Sequence, residues 1–317
     1  MITDLPAGDA AAYDAVRALL RNAEAADGVE PISEAARLDL RAAAVADNGP
    51  REVRHLVVMG PGGSIDGYAR LDLRAAATGA AVSEFAIAPT ARNQGNGASL
   101  LDAQLRISGR YGAALRAWAH GDLPAAAALA RRVDLSRDRV LWQIARPLGG
   151  SDGLPERALP PGITLRTFVV GADESAWLAV NNRAFADHPE QGRWTVNDVL
   201  ARESEPWFDP AGFLLAVRPD GSIAGFHWTK VRGGTPGGAA APIGEVYVLG
   251  VDPSAQGQRL GPALTVAGLK YLQQRGIERV ILYVDDSNPA ARATYRKLGF
   301  ADVRADVQYV QKVSSGR

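Results

Sequence analysis

The 317-residue sequence predicts an α+β fold built twice in tandem. Two observations carry that expectation. The first is a strand, a glycine-containing loop and a helix start that occur twice, at Ile87-Ala88-Pro89-Thr90-Ala91-Arg92-Asn93-Gln94-Gly95-Asn96-Gly97 and at Val251-Asp252-Pro253-Ser254-Ala255-Gln256-Gly257-Gln258-Arg259-Leu260-Gly261. Pro89 aligns with Pro253, Ala91 with Ala255, Arg92 with Gln256 and Gly97 with Gly261, at an offset of 253 − 89 = 164 residues. That is half of the chain, so a whole domain is duplicated; solenoids repeat every roughly 20–50 residues. The second observation is that strands and helices follow in the same order in each half. Each domain is expected to be a mixed, mostly antiparallel sheet with helices on both faces.

In the first half, 10–26 and 33–46 are Ala- and Leu-rich with helical spacing, and Ser33-Glu34 suits a helix start. Strands are expected at Val53–Met59, Ile65–Leu73 and Ala81–Ala88, with Gly62-Gly63 turning between the first two. A helix to about Arg110, a strand at Leu115–Trp118, a helix at Pro124–Arg132 and a strand at Arg139–Ala145 complete it. Gly and Pro mark a linker from Gly149 to Gly162, so the domains are expected at 1–150 and 151–317. The second half reads as a strand at Ile163–Phe168, helices at Glu174–Phe185 and Val196–Arg202, and strands at Phe213–Val217, Ile223–Val231 and Ile243–Val251. A helix to about Arg275, a strand at Arg279–Val284, a helix from Pro289 to Leu298 and a strand near Asp306–Val310 follow.

Composition narrows the function. Thirty-five basic and 35 acidic residues cancel, which leaves no excess of positive charge for an obligate nucleic-acid partner. There is no cysteine, so disulfides, cysteine–metal sites and a cysteine nucleophile are excluded. The four histidines do not cluster at ligand spacing, and no metal is expected. Met1-Ile2-Thr3-Asp4-Leu5-Pro6 lacks the basic and apolar regions of a signal peptide, and no apolar stretch reaches the roughly 20 residues of a membrane helix. A cytoplasmic monomer that binds small molecules, without a membrane partner, is the expectation.

The repeated loop is an anion site. The first turn of a helix carries unpaired N–H groups, and its dipole favours negative charge, commonly a pyrophosphate. In the second half this implicates Leu249, Gly250 and Val251 on the strand and Gln256, Gly257, Gln258, Arg259, Leu260, Gly261 and Pro262 in the loop and helix start. In the first half it implicates Phe85, Ala86, Ile87, Asn93, Gln94, Gly95, Asn96, Gly97 and Ala98.

These residues resemble a known family. Gln256-x-x-x-x-Gly261 is similar to the acetyl-CoA motif of the GNAT N-acetyltransferases (acyl-CoA N-acyltransferases), Arg/Gln-x-x-Gly-x-Gly/Ala. Asn288-Pro289-Ala290-Ala291-Arg292-Ala293-Thr294-Tyr295-Arg296-Lys297-Leu298-Gly299-Phe300 resembles that superfamily's second signature. The stretches Phe185-Ala186-x-His188-Pro189-Glu190-Gln191-Gly192-x-Trp194, Trp207-Phe208-Asp209-Pro210, Gly225-Phe226-His227-Trp228-Thr229-Lys230 and Gly244–Val251 look like the mycothiol synthases, a family of tandem GNAT proteins. The resemblance covers nearly the whole chain. It departs at Arg259, which stands where the motif has glycine, with Gly257 close enough to relieve the turn; Arg92-x-x-Gly95-x-Gly97 fits the motif in full.

The resemblance implies acetyl transfer from acetyl-CoA to the cysteinyl amine of cysteinyl-glucosaminyl-inositol, with the C-terminal half active. The duplication agrees: Tyr295 falls on Ala130 and Glu245 on Ala81, so the first domain lacks both polar groups and is expected to be catalytically silent while keeping a loop that could hold acetyl-CoA. Glu245 is the expected general base, through water, and Tyr295 the acid or hydrogen-bond donor toward the thiolate. Asn288, Pro289, Ala290, Ala291, Arg292 and Ala293 are expected along the pantetheine arm. By resemblance, Glu34, Glu190, Lys230, Glu245 and Tyr283 contact the acceptor, and His188 and His227 are expected to be structural. The rivals are a GNAT enzyme for another small amine or a protein N-terminus, and an acetyl-CoA-sensing module without turnover.

Overall fold

The protein is described by a computed structural model that covers residues 1–6, 8–45, 52–149, 153–186, 188, 191–233 and 241–311. The elements of the first half are β1 (Ile2–Asp4), α1 (Ala10–Asp27), α2 (Glu34–Val45), β2 (Val53–Met59), β3 (Ile65–Asp72), β4 (Ala80–Ile87), α3 (Asn96–Arg110), β5 (Ala114–Ala119), α4 (Pro124–Arg132) and β6 (Leu135–Pro147). Those of the second are β7 (Thr164–Thr167), α5 (Glu174–Ala184), α6 (Val196–Glu203), β8 (Phe213–Val217), β9 (Ile223–Arg232), β10 (Ile243–Val251), α7 (Leu260–Gln274), β11 (Arg279–Asp285), α8 (Pro289–Lys297) and β12 (Ala301–Gln311). The short β1 has no counterpart in the sequence reading, and β6 and β12 run longer than their apolar cores suggest. Among the described residues no helix is long and apolar enough to cross a membrane.

Two compact units result. One comprises Met1–Trp142, Asp285–Ser287 and the chain from Arg304 onward; the other comprises Gln143–Val284 and Asn288–Val303. In the first, the strand order is β1-β2-β3-β4-β5-β12, with β6 next to β12; β4 and β5 are parallel, and β1–β2, β2–β3, β3–β4 and β5–β12 are antiparallel. Successive side chains of a strand face opposite sides, so β2 and β3 feed two cores. Leu56, Ala69 and Leu71 pack with Leu100 and Leu101 of α3. Val57 and Tyr68 pack with Tyr13 and Val16 of α1 and Leu40 of α2.

The second unit repeats the plan in the order β11-β10-β9-β8-β7, with β10 and β11 parallel. Phe213, Leu215 and Trp228 pack with Trp177 and Val180 of α5 and Val199 of α6. Ala216 and Ala224 pack with Leu260 and Leu264 of α7 on the other face. The mixed, mostly antiparallel sheet with helices on both faces is therefore found in both units.

Helix ends follow local chemistry. Asp9 accepts a hydrogen bond from the Ala12 amide, and Gly28 closes α1 at φ 67°. Thr195 and Asp198 form a reciprocal capping box on α6. Asn288 accepts from the Ala291 amide and Pro289 opens α8.

The internal comparison shifts by one residue in β10. Its register against β9 slips between Val246 and Val248, leaving Tyr247 as a bulge. Glu245 pairs with Ile281 and Lys230, whereas in the first unit Val82 pairs with Arg116 and Asp72. Glu245 thus corresponds to Val82, not to Ala81 as the ungapped alignment has it. The first unit still carries no carboxylate there.

The two loops also share a backbone shape. Each requires two left-handed residues, Asn93 (φ 59°) and Gly95 (φ 84°) in one, Gly257 (φ 77°) and Arg259 (φ 61°) in the other. Each loop has glycine at one of the two places only. Gly257 therefore does not relieve Arg259, because it takes the turn that Asn93 takes. A side chain in this region costs about 1–2 kcal/mol per residue, and asparagine tolerates it better than arginine.

A charged cluster lies inside the first unit. Glu84 on β4 contacts His120 (3.1 Å) and Arg70 (3.6 Å), and His120 contacts Asp306 on β12 (3.0 Å). Arg70 also pairs with Asp39 and Asp72. Burial alone would raise the Glu84 carboxyl, but His120, Arg70 and the Ser33 amide more than offset it and hold it at about 2. Burial would lower His120, but Asp306 and Glu84 push it up to about 10.

Two predictions follow from these backbone and charge features. The His120 contribution is complete below its unfolded pKa of about 6.5 and is lost as pH rises through about 10; that of Glu84 is complete above about 4.5 and is lost as pH falls through about 2. Stability from this pair should therefore peak between pH 4.5 and 6.5. Thermal melts across pH should show the alkaline fall flattened in His120→Gln; parallel curves would rule the pair out. Arg259→Gly should stabilise the fold by up to about 1 kcal/mol in urea titration, since the relieved strain exceeds glycine's extra chain entropy of about 0.5–1 kcal/mol. An unchanged or lower stability would show that residue 259 carries no strain.

Candidate active site

The site grows from the way β10 and β11 part. Their parallel pairing consists of Gly244↔Val280 and Glu245↔Ile281, and the remaining residues of β10 continue against β9 alone. Glu245 stands at the crotch of this fork, buried, in an ion pair with Arg232 of β9. Lys230 is its cross-strand partner, so the two side chains share a face. Two-residue periodicity puts Arg232 and Tyr283 on the same face. The Tyr283 hydroxyl accepts from Gln143 Nε2 (2.6 Å), and the Arg232 guanidinium lies 5.9 Å from its ring centroid. The structure thus brings Glu245, Lys230 and Tyr283 together and adds Arg232. Lys230-x-Arg232 on one strand was the available signal for that addition.

Aromatic rings wall the face. The Lys230 ammonium sits 4.2 Å from the Trp207 centroid and 5.0 Å from that of Tyr247, a desolvated cation–π arrangement. Lys230 is only 4% exposed, which leaves at most its tip for an acceptor. Arg202 donates to the Tyr247 hydroxyl (2.6 Å) and stacks 3.8 Å from the Trp194 centroid. The Tyr247 bulge is held from both sides.

Beyond the fork the chain enters the loop. Asp252 accepts from Arg183 and from the amide and hydroxyl of Ser254, and these bonds outweigh burial and hold its carboxyl below the usual range. The turn at Pro253–Ala255 leads through Gln256, Gly257, Gln258 and Arg259 into α7. The amides of Gly257, Gln258, Arg259, Leu260 and Gly261 occupy the loop and first turn, where no intrahelical carbonyl is available; Pro262 has no amide to offer. A Cβ at Gly261 would come no nearer than 3.7 Å to Val251, so the protein does not require glycine there. Space at that point instead lets an oxyanion approach the backbone. Gly250 is different: a Cβ would lie 2.6 Å from Phe226. Leu249 and Val251 flank it on β10, whose edge away from β9 has no partner strand there among the described residues.

In the first unit, Phe85, Ala86 and Ile87 end β4, and Asn93, Gln94, Gly95, Asn96, Gly97 and Ala98 form the matching loop and helix start. Arg92 is held by Asp27 in two bonds of 2.8 Å. Gln94 Nε2 donates to Thr90 O and Asn96 Nδ2 to Ala91 O (both 3.1 Å), bracing the loop.

On α8, Asn288 spends its side-chain oxygen on the helix cap, and Arg292 pairs with Asp302 (2.9 Å). Pro289, Ala290, Ala291 and Ala293 form the small-residue start of that helix. The half-buried Tyr295 ring packs edge-on against Phe300, and removal from water pushes its hydroxyl up to about 12. Glu34 opens α2 in the first unit, directly after Ser33, as a helix-start residue. Glu190 lies outside the described residues. His227 donates from Nδ1 to Leu264 O (2.8 Å), and burial lowers it to about 4; His188 Nδ1 accepts from the Gln191 amide (3.0 Å). Both rings thus hydrogen-bond to the backbone.

Known proteins similar to this chain give its family and fold. The model of the acetyltransferase (GNAT) family matches residues 177–300. Mycothiol acetyltransferase of Salinispora tropica is 52% identical over 93% of this chain and 91% of its own. That of Frankia alni is 47% identical over 97% and 94%. Among solved structures, a tandem GNAT protein from the clavulanic acid pathway superposes over 100% of this chain and 99% of its own, with a TM-score of 0.71 at 19% identity. A GCN5-related N-acetyltransferase from Sphaerobacter thermophilus does so over 100% and 96%, with a TM-score of 0.67 at 24% identity. The structural matches speak for the fold and the sequence matches for the family: the chain belongs to the mycothiol acetyltransferases of the GNAT superfamily.

Proposed function

We propose that the chain moves the acetyl group of acetyl-CoA to the cysteinyl amine of cysteinyl-glucosaminyl-inositol, by direct attack with both substrates bound. The observation that carries this reading is the fork. Glu245, Lys230 and Tyr283 share one face beside it, and an amide-lined loop follows on the same strand. Acetyl-CoA supplies an activated acetyl thioester. The pyrophosphate is held by Gln256, Gly257, Gln258, Arg259, Leu260 and Gly261, and the pantetheine arm runs in the fork past Asn288 and Arg292. Residues 151–317 supply the catalytic groups, although the chain from Arg304 onward packs in the first unit; residues 1–150 supply none, and their loop retains the shape for acetyl-CoA. The enzyme works as a cytoplasmic monomer.

Glu245 takes the proton from the amine, through water. An α-amino group titrates near 7.7–8.0, so modest help suffices. Backbone amides at Leu249–Val251 face the charge that develops on the thioester oxygen. Tyr295 is a hydrogen-bond donor to sulfur. A hydroxyl at about 12 set against a thiol near 8.5 makes full transfer uphill by about 3.5 units, or roughly 5 kcal/mol. The acceptor is held by Glu190, Lys230, Glu245 and Tyr283.

CoA release should occur with cysteinyl-glucosaminyl-inositol and not with aminoglycosides, polyamines or N-terminal peptides. Turnover of another amine alone would keep the chemistry and discard this acceptor; tight acetyl-CoA binding with no turnover would indicate a sensing module. Glu245→Gln should lower kcat about 10²–10⁴-fold with acetyl-CoA affinity kept. Lost affinity would make Glu245 a structural carboxylate. Tyr295→Phe should lower kcat about 10–100-fold, the worth of one hydrogen bond to a charged group, without changing the shape of the pH–rate profile. Disappearance of an alkaline limb would instead identify Tyr295 as a proton donor.

A further inference from the structure

Arg202 on α6 is a buried cation that the proposed reaction does not use. It is 5% exposed, and among the described residues no carboxylate pairs with it. Withdrawing a charge from water without a counter-charge is costly. What meets Arg202 instead is its own helix, a ring and one residue of β10. Nη1 donates to the Asp198 carbonyl (2.7 Å), the guanidinium stacks 3.8 Å from the Trp194 centroid, and Nε donates to the Tyr247 hydroxyl (2.6 Å). A hydrogen bond from a charged donor is roughly twice as strong as a neutral one.

Tyr247 is the residue that breaks the ladder. The pairing of β10 with β9 runs from Glu245↔Lys230 and Val246↔Thr229 straight to Val248↔Trp228. Tyr247 and Val248 are consecutive, yet both pack in the core beneath α5 and α6, while Leu249 and Val251 pack on the α7 side. Side chains of a regular strand alternate, so Lys230 and Trp228 share a face of β9. Their partners Glu245 and Val248 share it too, although they stand three residues apart, because Tyr247 is the extra one. In the first unit β4 has no such step: its pairs with β3 run from Val82↔Asp72 to Ile87↔Gly67 without a break. The bulge therefore belongs to the unit that carries Glu245. Were Tyr247 drawn into the ladder, the one-residue slip would turn either Glu245 or the run from Val248 to Val251 to the opposite face. The rings of Trp207 (5.0 Å), Trp228 (5.3 Å) and Trp194 (6.4 Å) hold the Tyr247 ring, and Arg202 holds its hydroxyl.

We propose that Arg202 is a positioning residue for the reaction: its bond to the Tyr247 hydroxyl keeps Tyr247 out of the ladder, and so fixes where the amides of Leu249–Val251 stand relative to Glu245. This rests on the reading of those amides as facing the thioester oxygen. Arg202 acts through Tyr247. Its effect falls on the transition state, where base and amides must both be in place, and not on the binding of either substrate.

The test uses the full chain. Arg202→Met keeps the length of the side chain and removes its charge and donors; Tyr247→Phe keeps the ring and removes the hydroxyl. Each should lower kcat about 10–100-fold, the cost of a small misplacement, with both KM values moving less than about twofold. The double variant should be no slower than the slower single one, because both act through one contact. Its melting temperature should return toward that of the native chain, since removing both partners of a buried bond is nearly neutral. Unchanged kcat in both single variants, or a kcat that recovers in the double variant along with stability, overturns the positioning role. The carbonyl stretch of acetyl-CoA, isotope-labelled at the thioester carbonyl, should fall on binding to the native chain and fall less in Arg202→Met. The first unit has no such bulge, so acetyl-CoA held there contributes equally to both spectra. An equal fall in both overturns the role of Arg202 alone. No fall in the native chain removes the reading of the amides, and the inference with it.

Discussion

The end of parallel pairing between β10 and β11 is the constraint on which the second unit depends. Parallel strands share a ladder only while they run side by side, and here the ladder stops at Glu245↔Ile281. Past that point one edge of β10 is released from the sheet and a wedge opens between the strands. The bulge at Tyr247 lies just beyond the last pair, and extra twist at a bulge turns the strand away. Buried charge is tolerable at the crotch because Arg232 meets Glu245 there. The aromatic wall of Trp194, Trp207, Trp228 and Tyr247 gives the released strand something rigid to lean on.

The first unit has the same plan with different contents. Its loop keeps the two left-handed residues, so the backbone shape outlived the change of sequence. It differs at single positions: Val82 stands where Glu245 does, and Ala130 where Tyr295 does. Where the second unit carries the apolar Val248, the first carries Glu84, now tied to His120 and Ser33. Duplication preserved a scaffold and let the two clefts diverge residue by residue.

Much of this was legible in the chain. Pro124–Arg132 and Pro289 are punctuated by proline, which fixes a helix start, and the duplicated loop shows itself by spacing alone. Phe213–Val217 is a continuous apolar run, and Ile243–Val251 is an apolar run interrupted by Glu245; both are bounded by turns and fold as read. The bulge was not legible, because a one-residue register shift leaves no mark in an ungapped alignment. Arg232 could be found from its spacing to Lys230, but not its choice of Glu245, which needs the register of β9 on β10. The Glu84–His120–Asp306 chain was beyond reach. Residues 36 and 186 positions apart meet only once the course of β12 is known.

That course has a consequence for synthesis. The first unit needs a strand that lies at the far end of the polypeptide, since β12 pairs with β5 through Val307↔Ala119 to Val310↔Arg116. When the ribosome has made Trp142, β5 lacks its neighbour β12 and His120 lacks Asp306. The missing strand follows 311 − 142 = 169 residues later, which at about 5–20 residues per second is a delay of roughly 10–30 s. The first unit thus cannot be completed until the second has been made, and β5 must wait as an open edge for that time.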